Sequence, residues 1–178
     1  MKAKSSYSIY KLVLASMFLA MCMLLPFLGA NIQEVLNKIS PMHIPVLLCG
    51  FFCGWEYGLF IGFVAPLLRS LLFGIPVMIP NAASMAFELA TYGAVSGLMY
   101  SRLKGKKGGI YISLITAMLA GRVVWGIVSP LFYMVKGKSF TFMMFLTKGF
   151  INAWPAILIQ LIIIPIIVRE AGRVVRKQ

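Results

Sequence analysis

Six apolar stretches, at roughly 12 to 30, 42 to 55, 57 to 74, 82 to 101, 109 to 134 and 148 to 168, fill most of the chain. They are too long for barrel strands and do not alternate polar with apolar residues, and only helices or closed barrels satisfy their own backbone in lipid. The expected fold class is an all-α polytopic membrane protein, with residues 1–178 forming a single six-helix transmembrane domain. At 61% apolar and 12% charged residues, the spans use up nearly all of the 178 positions. No room is left for a soluble catalytic or nucleotide-binding domain, so any energy the protein uses must come from a gradient or a partner.

The runs are punctuated by Asn31, Pro41, Gly54, Pro80, Gly105 and the Lys136/Lys138 turn. The second run, with 14 residues, is shorter than the span of about 17 to 25 residues needed to cross a bilayer. Charge argues that it crosses all the same. With six crossings and the N-terminus inside, the cytoplasmic ends collect Lys2, Lys4, Lys11, Arg102, Lys104, Lys106, Lys107, Arg169, Arg173, Arg176 and Lys177. Only Lys38, Lys136, Lys138 and Lys148 fall outside. Dropping the second crossing would export the Arg102-to-Lys107 cluster. Six helices with both termini cytoplasmic are therefore expected, in the cell membrane.

The net charge of +13 is that of a nucleic-acid binder, yet its residues sit beside span ends and form no single basic face. The partner it implies is the lipid bilayer, and no nucleic acid. Cys22, Cys49 and Cys53 all lie inside apolar runs, where they act as small hydrophobes and point to no disulfide, metal or cofactor. The first run is longer than a signal-peptide core and lacks a convincing small-residue cleavage site, so it is kept as the first helix. The two halves share no repeat, which weighs against a carrier built from inverted halves.

Ionisable residues inside the spans are the best guide to function, because hydrocarbon rejects them unless something uses them. On the six-helix topology, Arg69 lies about 18 Å along the third run, Glu88 about 9 Å below the outer surface, and Arg122 about 20 Å along the fifth run. The sixth run opens outside with Lys148, Asn152 and Trp154 in its first turns. Polar groups of four helices thus share the external half. Asn81, Ser84, Glu88, Thr91 and Tyr92 follow one helical face, and Arg122, Trp125 and Ser129 another. The inner half offers only hydroxyls such as Ser96, Ser113 and Thr116. A pocket open to the outside and closed toward the cytoplasm is expected.

Arg keeps its charge in almost any environment and grips a carboxylate or phosphate through two parallel hydrogen bonds. Such a lining suits an anionic or zwitterionic, partly apolar small molecule. Glu88 equally suits a structural ion pair with Arg69 or Arg122, which leaves one arginine over for an anion. His43 stands at the outer mouth of the second run, as a ligand contact or as a locally bonded interfacial residue. Trp125 and Trp154 lie at depths where lipid-facing aromatic belts also occur. On the first run, Ser16 and Ala20 have the small-xxx-small spacing that lets another helix approach closely, within the protein or from a partner.

Three segments, MHIPVLLCGFFCGWEYGLFIGFVAPLLRSLLFGIP at 42 to 76, MAFELATYGAVSGLMY at 85 to 100 and WPAILIQLIIIPIIV at 154 to 168, carry a resemblance through their order and spacing. Together they resemble the substrate-binding S components of energy-coupling factor vitamin transporters, over nearly the whole chain. The resemblance implies a vitamin substrate, captured beneath the loop that here runs from Asn31 to Pro41. It also implies a shared transmembrane coupling subunit and two ATPase subunits as partners, which drive uptake by toppling the loaded protein in the membrane. The family's Ala-xxx-Ala contact with the coupling subunit maps to Ser16 and Ala20, with Ser in place of one Ala. The pattern looks closest to the pantothenate subgroup. The chain has no Walker motif, so ATP hydrolysis would fall to the partners.

On this reading the substrate-binding residues are Arg69, Glu88, Arg122, Asn152, Tyr92, Trp125 and His43. Two other classes compete with it. A structural scaffold similar to the rod-shape determinants would need no ligand, and polar residues converging on one depth argue against it. A small proton-coupled exporter would use Glu88 as its carrier, and two nearby arginines would hinder its proton cycling. An intramembrane enzyme is not expected, since the spans hold no Ser/His or metal-ligand set.

Overall fold

The computed structural model describes residues 2–27 and 41–176, with side chains over 9–27 and 41–172. Among these residues the fold is entirely helical. Helix α1 (Lys2–Leu24) ends in the short 3-10 turn Leu25–Phe27. It is followed by α2 (His43–Cys53), α3 (Trp55–Phe73), α4 (Ala83–Leu103), α5 (Gly109–Val135), α6 (Phe142–Leu146) and α7 (Trp154–Arg176). Irregular turns at Met78–Ala82 and Thr147–Ile151 lead into α4 and toward α7.

Helix α4 is the axis of the bundle, packed most extensively against α3 and α5 and then against α2. Glycines make this possible. A Cβ on Gly58 would stand 2.5 Å from the Gly93 carbonyl oxygen, and one on Gly97 2.5 Å from the Trp55 nitrogen. At Gly50, Gly62 and Gly93 the overlap, with the backbones of Gly93, Leu89 and Gly58, would be closer still. In lipid, helices gain little from burying apolar surface against each other, so such backbone-to-backbone contact supplies much of the attraction. Between α2 and α3 the chain reverses at Gly54, whose φ of 98° belongs to the left-handed side that glycine tolerates. The pair forms a V whose two arms both lie along α4.

Four helical stretches are long and apolar enough to cross a membrane: Ile9–Phe27, Trp55–Phe73, Gly109–Val135 and Phe142–Gly172. The protein is a multi-pass membrane protein by this measure. Helix α4, with 21 residues, spans about 32 Å but is diluted by Glu88, Arg102 and its hydroxyls. Along its first four turns most of its polar groups are hidden by its neighbours: Ser84, Glu88, Tyr92 and Ser96 are all buried. Helix α2 has 11 residues, about 16 Å, and is buried along nearly its whole length.

The expected runs match α3, α4 and α5 to within a few residues at each end. The last run differs. Helical structure begins at Phe142, because Phe145 stacks on Trp125 of α5, with ring centroids 6.0 Å apart, and holds this segment to the bundle. The end of the first run at 28 to 30 and the Asn31-to-Pro41 loop, up to residue 40, lie outside the described residues.

Gly93→Ala is expected to lower the stability of the detergent-solubilised protein by about 1–3 kcal/mol through forced separation of α3 from α4. Gly172→Ala, with no atom near the added methyl, is expected to be neutral or slightly stabilising. Paired thermal melts of the two variants check this.

Candidate functional site

The buried Glu88 side chain, 2% exposed, lies in the second turn of α4. Three groups from three helices converge on its Oε1. Arg122 Nη1 of α5 stands 2.9 Å away, the Tyr92 hydroxyl donates to it at 3.1 Å from one turn along α4, and His43 Nε2 of α2 lies 3.9 Å away. Gly121 allows this arrangement: the Tyr92 ring occupies the space where a side chain at 121 would project. The His43 ring meets the Tyr92 ring edge-on, with centroids 5.5 Å apart. A carboxylate removed from water needs such partners, and the charge-assisted bond to Arg122 is the strongest of them.

Above this cluster is an open cavity of about 260 Å³, lined by His43, Pro76, Asn81, Met85, Glu88, Arg122, Trp125, Lys148, Asn152 and Ala153. It lies at the end of the bundle where α2, α4 and α7 begin, and α5 enters it from its second half. Trp125 is clamped by Phe145 and by Phe140, whose ring centroid is 5.6 Å away and edge-on. Lys148 Nζ donates to the Tyr133 hydroxyl at 2.9 Å. With Glu88 matched by Arg122, Lys148 is the surplus cation of the lining. Asn81 and Asn152, both exposed, add amide donors and acceptors at its rim.

A family model described as the ECF transporter substrate-specific component matches residues 10–168. The chain belongs to that family. No curated protein and no solved structure matches it. As a substrate-specific component it is a transporter subunit and not an enzyme. A cavity with a few fixed polar groups among apolar and aromatic walls is the usual form of a small-molecule site, and about 260 Å³ lies just below the usual range of about 300–1,000 Å³.

Of the substrate-specific component's expected binding residues, Glu88, Arg122, His43, Trp125 and Asn152 come together on the cavity wall. Tyr92 does not line it. Its hydroxyl orients Glu88 from behind, and its ring faces a separate apolar cavity of about 320 Å³ beside Leu119 and Leu161. Arg69 must be corrected: the structure does not bring it to Glu88 and Arg122. Its Nε donates to the Ile75 carbonyl at 3.0 Å, and its guanidinium stands 5.4 Å from the Phe27 ring centroid. Arg69 thus braces the turn that presents Pro76 to the cavity. The sequence expected it at the depth of the site, but its side chain turns toward Ile75 and Phe27.

Lys148 and Pro76 were not among the expected site residues. A lysine between Leu146 and Phe150, inside an apolar stretch, was a usable signal for the first. Nothing in the sequence singles out Pro76. On α1, Ser16 and Ala20 both face outward, and Ser16 Oγ is bonded to the Leu12 carbonyl at 2.9 Å. The same surface exposes Leu12, Val13, Met17 and Leu24.

Removing either half of the Glu88–Arg122 pair leaves a buried charge without its partner. Glu88→Gln and Arg122→Met are each expected to cost about 3–5 kcal/mol, and the double variant Glu88→Gln/Arg122→Met clearly less than their sum. A double-mutant cycle on thermal or denaturant unfolding in detergent checks this.

Proposed function

We propose that this substrate-specific component captures a small vitamin or related molecule in the cavity above Glu88, for uptake driven by an ECF coupling subunit and two ATPase subunits. The ligand is anionic or zwitterionic and partly apolar. The observation that carries this is the lining itself: a self-satisfied Glu88–Arg122 pair beside the surplus ammonium of Lys148, the amides of Asn81 and Asn152, and the Trp125 ring. An anionic group on the ligand would meet Lys148 and the outer face of Arg122, and its polar remainder the amides. Pantothenate, with one carboxylate and several hydroxyl and amide groups, is the first vitamin to test.

The chain crosses the cell membrane six times in this proposal, with both termini cytoplasmic and the cavity facing outward. The short α2 is supported as a crossing by its course along α4, from the level of Glu88 to that of Gly97. Charge supports the same orientation, since it places the Arg102-to-Lys107 turn inside. The outward surface of α1 at Ser16 and Ala20 is where the coupling subunit docks. All 178 residues act as one domain.

The purified chain alone is expected to bind the vitamin, read as a change in tryptophan fluorescence on titration. Lys148→Ala and Asn152→Ala should each weaken binding, roughly tenfold for the charged contact, Asn152→Ala without lowering thermal stability and Lys148→Ala with at most the small loss of its bond to Tyr133. Ala20→Leu should leave affinity intact and reduce uptake in cells carrying the coupling subunit and ATPases. Unchanged affinity in both cavity variants would contradict the site, and normal uptake in Ala20→Leu would contradict the docking surface.

A further inference from the structure

The opposite end of the bundle carries a further cavity, of about 340 Å³, between the α4–α5 turn and the second half of α7. Tyr100, Lys104, Gly105, Ile110, Val168 and Arg169 line it. We propose that this cavity holds the phosphate group of an anionic membrane lipid, gripped by Lys104 and Arg169.

Two cations reach the cavity from elements far apart in sequence. Lys104 comes from a tight turn whose Gly105 and Gly108 adopt φ of 93° and 78°, and Arg169 from the third-last turn of α7. Arg169 is further placed by its guanidinium standing 5.5 Å from the Tyr111 ring centroid, a cation–π contact that fixes it beside α5. The rest of the turn adds Arg102, Lys106 and Lys107 within a few residues. Glu170 is the carboxylate nearest in sequence, and it does not line the cavity.

Basic residues that only set membrane orientation need no cavity between them. Here they flank a hollow with an apolar side, Ile110 and buried Val168, and an aromatic side, Tyr100. This is the pairing a phospholipid presents, a phosphodiester joined to hydrocarbon. Basic pockets between helices at the headgroup level recognise anionic lipids in this manner. Inorganic phosphate shares the oxyanion but offers nothing to the apolar side, so the lipid is the assigned source. Arg in particular matches a phosphate with two donors in one plane.

The test is reconstitution of the full chain into vesicles of equal phosphatidylglycerol and phosphatidylcholine, followed by detergent extraction and quantification of the lipid that stays bound. The wild-type chain is expected to retain phosphatidylglycerol over phosphatidylcholine by roughly tenfold, and Lys104→Ala/Arg169→Ala to lose that preference. Lys104→Arg/Arg169→Lys should keep most of it. Lys136→Ala/Lys138→Ala, at the other end of the bundle, should leave it unchanged. No preference in the wild-type chain, its survival in Lys104→Ala/Arg169→Ala, or its loss in Lys136→Ala/Lys138→Ala would overturn the proposal. Displacement of the lipid by millimolar inorganic phosphate would overturn the lipid assignment in favour of a free anion.

Discussion

A carboxylate buried inside a membrane bundle has to be answered, and the answer to Glu88 organises this protein. Arg122, Tyr92 and His43 reach it from three helices, so α2, α4 and α5 are held in one rotational setting about their axes. That setting turns Trp125 toward the same hollow and stacks it with the segment that carries Lys148 and Asn152. The ion pair therefore does two things. It ties the helices together, and it leaves the cavity above it with one unmatched cation.

The glycine seam between α3 and α4 is the complementary constraint. Gly58 and Gly93 bring α3 and α4 into backbone contact, and Gly62 continues that contact to Leu89, beside Glu88. At the cavity end, α6 and the Thr147–Ile151 turn are held by aromatic contacts and by the bond from Lys148 to Tyr133.

Helix positions were legible in the sequence because hydropathy determines them, and a rise of about 1.5 Å per residue put Glu88 and Arg122 at matching levels of neighbouring helices. Glu88 and Arg122 could be brought together on that basis. Rotation could not be read: Arg69, expected at their depth, turns toward Ile75 and Phe27, since two or three residues of helical phase decide which neighbour a side chain meets. The early start of helix at Phe142 was hidden for a similar reason, because ring stacking on Trp125 stabilises a segment that hydropathy alone leaves outside the span. The seam went unread: Gly50, Gly58 and Gly62 line one side of it and Gly93 and Gly97 the other, at spacings of four or eight residues, a small-residue pattern that carries close approach without any polar signal.

Native mass spectrometry of the freshly purified chain addresses the cavity most directly. The account predicts a population carrying one small anionic or zwitterionic metabolite, which dissociates readily from the Lys148→Ala chain. A chain that carries only lipid, and that stays ligand-free when vitamins are added back, would contradict it.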